Sequence, residues 1–224
     1  MDHRTTETLF AVVSPGLEAV CADEMTALGL PPQEVIAGGV VFYGKLRDVY
    51  LANLWLRTAS RILVRFAEFK SRDFPDLYRR THRLPWGRFI RPEDSVSFRI
   101  TCHSSRLIHT TRIAETLESS INQALGRSTN PVGDDPQIIM VRIVDDQVVI
   151  SIDSSGELLH RRGYRQSATA APLRETLAAG TLMLLGWNGS TPLVDPMCGS
   201  GSFLLEGALL ARQKAPGLSR SFAF

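Results

Sequence analysis

The strongest constraint on the fold lies in the first 69 residues, where apolar positions switch between the two-residue period of a strand and the 3.6-residue period of a helix. Leu9-Phe10-Ala11-Val12-Val13 alternates as a strand, Pro15-Gly16 interrupts it, and Leu17, Val20, Cys21, Met25 and Leu28 then recur at helical spacing up to Gly29. Val35-Ile36 and Val40-Val41-Phe42 flank Gly38-Gly39 as the arms of a hairpin. Leu46, Val49, Tyr50, Asn53 and Leu54 continue as a second helix, and Ile62 to Phe69 reads as a further strand. The order β-α-β-β-α-β is the split βαβ arrangement of ferredoxin-like domains, so residues 1–69 read as one small module.

Two further segments follow. Residues 70–165 read as a mixed α/β unit. Asp73, Phe74, Leu77, Tyr78 and Thr81 suit a short helix closed by Pro85-Trp86-Gly87, and Ser95 to Cys102 alternates as a strand. His109 to Leu125 forms the longest helical pattern and Asn130-Pro131-Val132-Gly133 breaks it. Strands Ile138 to Val144 and Val148 to Asp153 meet at a turn, Asp145-Asp146. From Pro172, Leu173, Leu177, Leu182 and Leu185 mark an apolar helix ending at Gly186. A short strand, Leu193 to Asp195, leads into a glycine-rich turn and a last helix, Phe203 to Ala211. A nucleotide-binding α/β domain takes about 150 residues. The 59 residues from Gln166 are therefore expected to form only its beginning, partly unstructured or held by another chain.

Charge is regional. The net charge is +2, yet residues 57–112 carry 13 basic against 5 acidic groups, while residues 1–56 carry 3 against 7. A local cationic excess is the footprint of a surface that meets phosphate. Arg72, Arg79, Arg80, Arg83, Arg88 and Arg91 bracket Tyr78 and Trp86. That pattern suits a phosphate backbone with a ring stacked on a base, or equally a solvated face over core aromatics. No apolar run approaches the roughly 18 residues of a membrane span. Cys21, Cys102 and Cys198 have neither disulfide nor zinc spacing. A cytosolic protein with free thiols, no metal and no membrane contact is expected.

Asp195-Pro196-Met197-Cys198-Gly199-Ser200-Gly201-Ser202 carries the chemistry. Glycine lets a ligand approach the backbone, and the helix that follows offers free amides and the positive end of its dipole. The loop has no Gly-Lys-Ser or Gly-Lys-Thr for a phosphate loop, and Leu204 stands where a dinucleotide fingerprint needs a third glycine. An acidic residue before the glycines suits a ligand with an ammonium or sulfonium group better than pyrophosphate. Cys198 as a nucleophile lacks a histidine nearby in sequence. An ordinary strand-to-helix turn is the alternative.

Asp195 to Gly201, followed by Glu206-Gly207-Ala208, resembles the first cofactor motif of the THUMP-containing class I RNA (guanine-N2) methyltransferases, including those acting on large-subunit rRNA. The resemblance continues through His160-Arg161-Arg162-Gly163-Tyr164-Arg165, Ala171 to Ala179, Ala52 to Arg61, and Ser105-Arg106-Leu107-Ile108-His109-Thr110, and so covers nearly the whole chain. It departs slightly at Ser202, where threonine is common, and at Gly207, where alanine is common.

The resemblance implies an α/β (α+β) chain in three parts. These are a ferredoxin-like module (1–69), a THUMP RNA-binding domain (70–165, or from near 45 to near 155 if drawn more broadly), and the start of a Rossmann-like methyltransferase domain (166–224). It implies S-adenosylmethionine at Asp195, Pro196, Cys198, Gly199, Ser200 and Gly201. It also implies rRNA contacts at Ser105, Arg106 and His109, to which the basic cluster adds Arg72, Arg80 and Arg83. Arg161, Arg162 and Arg165 at the junction either guide RNA or hold domains in register. The family's Asn-Pro-Pro-Tyr-type tetrapeptide is not in the sequence, so no catalytic residue is assigned. The 224 residues alone are expected to be inactive and to bind the cofactor weakly or not at all. The alternatives are a stand-alone THUMP module that has lost its enzyme, or an unrelated cofactor-binding enzyme.

Overall fold

A computed structural model describes residues 5–164 and 173–224. The chain forms two compact units that do not follow its order: a central unit of residues 64–153, and a terminal unit that joins residues 2–63 to 154–224.

The terminal unit begins with β1 (Glu7–Val13), α1 (Glu18–Ala27), β2 (Pro32–Ile36), β3 (Gly39–Gly44) and α2 (Leu46–Trp55). β4 (Ala59–Lys70) starts here and runs on into the central unit. Alternation is real in β1, where Leu9, Ala11 and Val13 are buried, and β3 pairs antiparallel with both β1 and β2. Gly39 is obligatory in the hairpin, because an added Cβ would lie 2.2 Å from the Ala11 carbonyl oxygen and 2.5 Å from the Phe10 ring. Val20, Cys21 and Met25 of α1 and Val49 and Ala52 of α2 close the core over Leu9, Val40 and Phe42.

In the central unit, α3 (Phe74–His82) is capped by Asp73, whose carboxylate accepts the Asp76 N–H at 2.7 Å. A 3₁₀ turn (Trp86–Arg88), β5 (Val96–His103), α4 (Thr110–Ala124), β6 (Gln137–Val144) and β7 (Gln147–Asp153) complete it. β5 and β6 pair in parallel, which requires a crossover, and α4 provides it; β6 and β7 form an antiparallel hairpin. Ile113, Leu117 and Ile121 of α4 are fully buried, at the helical spacing that predicts this face. Asp145 and Asp146, at the β6–β7 turn, both have positive φ (50° and 63°), a conformation aspartate tolerates better than most residues. Asn130 clips the start of β5, accepting the Val96 N–H and donating to its carbonyl.

Back in the terminal unit lie α5 (Glu175–Leu184) and α6 (Ser202–Ala211), and two expectations for this segment are corrected. The helix expected from Pro172 has its described start at Glu175, and Pro172 itself lies outside the described residues. Leu193 to Asp195, expected as a short strand, forms none and joins no sheet. Residues 173–224 of this segment pack on the first module. A Cβ at Gly180 of α5 would sit 2.5 Å from Leu17, and the Gly217 N–H donates to the Leu54 carbonyl at 2.9 Å.

Candidate functional site

In the central unit, the β6–β7 turn holds a corner built around Asp146. Its Oδ1 accepts the Arg106 backbone N–H at 2.8 Å, and its Oδ2 accepts Arg72 Nε at 3.0 Å. Its own N–H donates to Ser105 Oγ at 3.0 Å and its carbonyl accepts the Ser71 N–H at 2.9 Å. One residue thus ties together the chain after β4, the loop after β5 and the hairpin turn. The Arg106 N–H, and then Arg72, hold the Asp146 carboxyl below its usual range. The Arg106 side chain is exposed, and its charge adds to the lowering of the Asp146 carboxyl. His109 is exposed and precedes α4, its carbonyl accepting the Ile113 N–H. Of the sequence-predicted residues, Arg72, Ser105 and Arg106 are therefore brought together here.

A second basic surface lies on α3. Arg79 and Arg80 both pair with Asp76, at 2.6 and 2.8 Å, and together with Arg83, Phe69 and Leu84 these residues line a shallow pocket. The Arg80 guanidinium stands 5.7 Å from the Phe69 ring centroid. Trp86 is not available to a base: it is buried, packs at a tilt against Phe66 and donates Nε1–H to the Thr81 carbonyl at 2.7 Å. Tyr78 is half-buried and bonds Gln123. Arg112, exposed on α4 with its guanidinium 4.1 Å from the Phe74 centroid, was not singled out by sequence, and its place at the C-terminal end of the basic region was the available signal.

The terminal unit carries the glycine loop. Gly199 (φ 52°) and Gly201 (φ 75°) adopt left-handed backbone, and Gly201 is the N-cap of α6. The Gly201 N–H closes the turn on the Cys198 carbonyl at 2.7 Å, and Asp195 Oδ1 accepts the Met197 N–H at 3.0 Å. A Cβ at Gly199 would meet nothing within 4 Å, so the space over the loop is open. Pro196 and Cys198 are exposed, and Ser200 is half-buried. Cys198 bonds no group that would activate it as a nucleophile; its Sγ lies 3.9 Å from the Gly199 carbonyl.

The junction arginines part company. Arg161 is exposed and pairs with Glu157 at 3.0 Å. Arg162, left open between an RNA contact and a structural role, is buried: Nη1 donates to the Leu159 carbonyl, Nη2 to the Arg57 carbonyl, both at 2.6 Å, and Nε faces Glu206 Oε1 at 3.4 Å. A guanidinium fully engaged inside the protein cannot neutralise a phosphate. Arg165 lies outside the described residues.

Three family models match the chain in order: the RlmL ferredoxin-like domain over residues 8–63, the THUMP domain over 71–153, and the RMKL-like methyltransferase domain over 162–224. The chain has the domain order of a THUMP-containing RNA methyltransferase. Among its relatives, the Ribosomal RNA large subunit methyltransferase K/L of Cellvibrio japonicus (strain Ueda107) is 38% identical over 226 residues, covering 96% of this chain and 30% of that protein. The protein slr0064 of Synechocystis sp., provisionally assigned as an RNA methyltransferase, is 37% identical over 218 residues, 95% of this chain and 57% of its own. SMU.472, provisionally assigned as a methyltransferase and solved in complex with SAH, superposes with a TM-score of 0.88 at 33% identity, over 99% of this chain and 60% of its own. The chain thus spans between about a third and three-fifths of the length of these relatives. No helix among the described residues is long and apolar enough to cross a membrane, and no group of three or more potential metal ligands occurs among them.

Proposed function

We propose that this chain is the RNA-gripping and cofactor-loop portion of an S-adenosylmethionine-dependent enzyme that methylates the exocyclic amine of a guanine in large-subunit rRNA. The observation that carries the reading is the loop from Asp195 to Gly201. Its glycines leave open space at the N-terminus of α6, where amides without intrahelical partners suit the ligand's carboxylate, while Asp195 suits its ammonium group. The fit agrees with the SAH-bound relative. When bound, S-adenosylmethionine supplies an electrophilic methyl: the guanine amine forms a bond to that carbon, the sulfonium C–S bond breaks, and the amine releases a proton.

Arg72, Arg80, Arg83, Ser105, Arg106, His109 and Arg161 are the RNA-facing residues of this reading, and its domain boundaries are 1–69, 70–165 and 166–224. An rRNA substrate places the reaction in the cytoplasm.

The test is nucleoside analysis of rRNA from cells lacking the gene, paired with methyl transfer by the full-length protein to rRNA from those cells. Loss of one N2-methylguanosine, restored in vitro, is the expected result. Methylation of adenine would overturn the guanine assignment, and RNA binding without any transfer would favour a stand-alone RNA-binding module.

A further inference from the structure

The terminal unit buries a polar cluster that the proposed chemistry does not use. Glu206, on α6 and fully buried, accepts the Tyr164 hydroxyl at 2.8 Å and faces Arg162 Nε. Arg162 binds the Arg57 carbonyl through Nη2, and Arg57 in turn donates Nη2 to the carbonyls of Lys214, at 2.8 Å, and Leu209, at 3.4 Å, around the C-terminal end of α6. The chain at Arg57 is itself fixed, because Glu24 of α1 accepts the Arg57 N–H at 2.7 Å and the Thr58 hydroxyl at 2.9 Å. Helix α6 is thus held at two places by charged groups anchored on the first module. Burial pushes the Arg57 guanidinium below its usual value, with Glu24 and Glu206 opposing that shift.

Stability alone does not account for such a cluster. A buried ion pair costs much of its attraction in desolvation, and well-packed apolar residues often serve the fold as well. Indeed Glu206 Oε2 and Arg57 Nη1 are buried without a hydrogen bond. What charged, directional contacts add is a fixed register. Glu206 lies five residues after Gly201, little more than one helical turn. Any slide or rotation of α6 would carry the glycine loop with it.

We infer that the Arg57–Arg162–Glu206–Tyr164 cluster is a positioning device that sets the register of α6, and so the geometry of the loop at its N-terminus, against the first module. This deepens the proposed function and rests on the cofactor reading of that loop. The four side chains are positioning residues; all lie outside the loop from Asp195 to Gly201.

In the full-length protein, Glu206→Gln is expected to weaken S-adenosylmethionine binding about tenfold by calorimetry while RNA affinity stays within about twofold. The paired substitution Arg162→Met with Glu206→Leu removes both charges of the pair, while Arg57 keeps Glu24 as its opposing charge, so the melting temperature is expected to recover. Its cofactor affinity is expected to stay low. Tyr164→Phe, which removes one donor without stranding a charge, is expected to weaken the cofactor a fewfold. A paired variant recovering stability and cofactor affinity together would overturn the proposal, as would Tyr164→Phe or Glu206→Gln binding as tightly as the wild type. If the wild type bound no cofactor, the loop reading would fail instead. The clamp would then be judged by hydrogen exchange of the amides of residues 199–203, expected to quicken in Tyr164→Phe and unchanged if the cluster is only structural.

Discussion

Two arginine–carboxylate sites in this molecule have similar chemistry and opposite uses. At the Asp146 corner the carboxylate spends its bonds on backbone and on Arg72, whose side chain is 54% exposed, and Arg106 keeps its charge in water. At the Glu206 clamp the arginine itself is inside, with 2% of its side chain exposed, and every nitrogen bonds or faces an oxygen of the fold. The corner leaves its cations exposed, which suits the proposed RNA contact; the clamp uses its arginine as structure. The difference lies in what the guanidinium sees, since a cation steers and binds phosphate only where solvent and ligand reach it.

The contrast is tested most strongly by deleting the buried arginine. Arg162→Ala leaves the Glu206 carboxylate without its charge partner at a fully buried position, and loss of one member of a buried pair costs about 3–5 kcal/mol. Denaturant unfolding should show a loss of this order. A variant with unchanged stability and weakened RNA binding would mean that Arg162 belongs with the exposed cations after all.

Asp146→Ala is expected to weaken RNA binding severalfold, although it removes a negative charge from a surface read as RNA-binding. Simple electrostatics predicts the opposite sign, because deleting an acid raises the local positive potential. A weakening would therefore identify Asp146 as the residue that holds Arg72 and the Ser105–Arg106 loop in place. Filter binding at fixed salt decides it, and a tightening would show that the corner needs no such anchor.

The element order was legible because period alone carries it: the alternation of β1 and the buried stripe of α4 fall where the apolar residues predict. The glycine loop was legible because glycine adopts the left-handed φ values found at 199 and 201 without the steric cost that a side chain adds. Adjacent arginines were not separable. Arg161 and Arg162 share composition and neighbourhood, and only the path of the chain turns one outward and the other toward Glu206. One signal was available but unused: Glu206 is the only charge in the apolar helix Ser202–Ala211, and an isolated acid in such a helix needs a partner. Asp146 was legible as a turn residue, but its bonds to residues 71, 72, 105 and 106 depend on long-range register. Trp86, one of two readings left open by the arginines around it, proved to be core.

Arg106→Ala probes a single exposed cation and so has a smaller expected effect. Binding to every structured RNA should weaken by a similar factor, the behaviour of a phosphate contact. The slope of log affinity against log salt should fall in magnitude by about 0.7–0.9. Arg47, exposed on α2 outside the basic region, is the control, and its replacement by alanine should change little. Equal effects at Arg47 and Arg106 would mean that the RNA surface has been placed wrongly even with the family correct.

The smallest expected effect is acid loosening of the Asp146 corner. The Arg106 N–H and the Arg72 guanidinium lower the Asp146 pKa from its ordinary 3.8, so the folded protein holds this proton more weakly than the unfolded chain does. The resulting stabilisation is present above the ordinary aspartate range and disappears as pH falls through the lowered folded value, which confines the effect to below about pH 4. Asp76, lowered by Arg80 and Arg79, titrates in the same direction. Exchange of the Arg106 amide, taken relative to its intrinsic rate at each pH, should therefore be flat from neutrality to about pH 5 and quicken only in stronger acid. Asp146→Asn keeps an acceptor oxygen but cannot ionise, and should abolish that dependence. A transition centred near pH 6, or one that survives in Asp146→Asn, would show that a group other than Asp146 governs this loop.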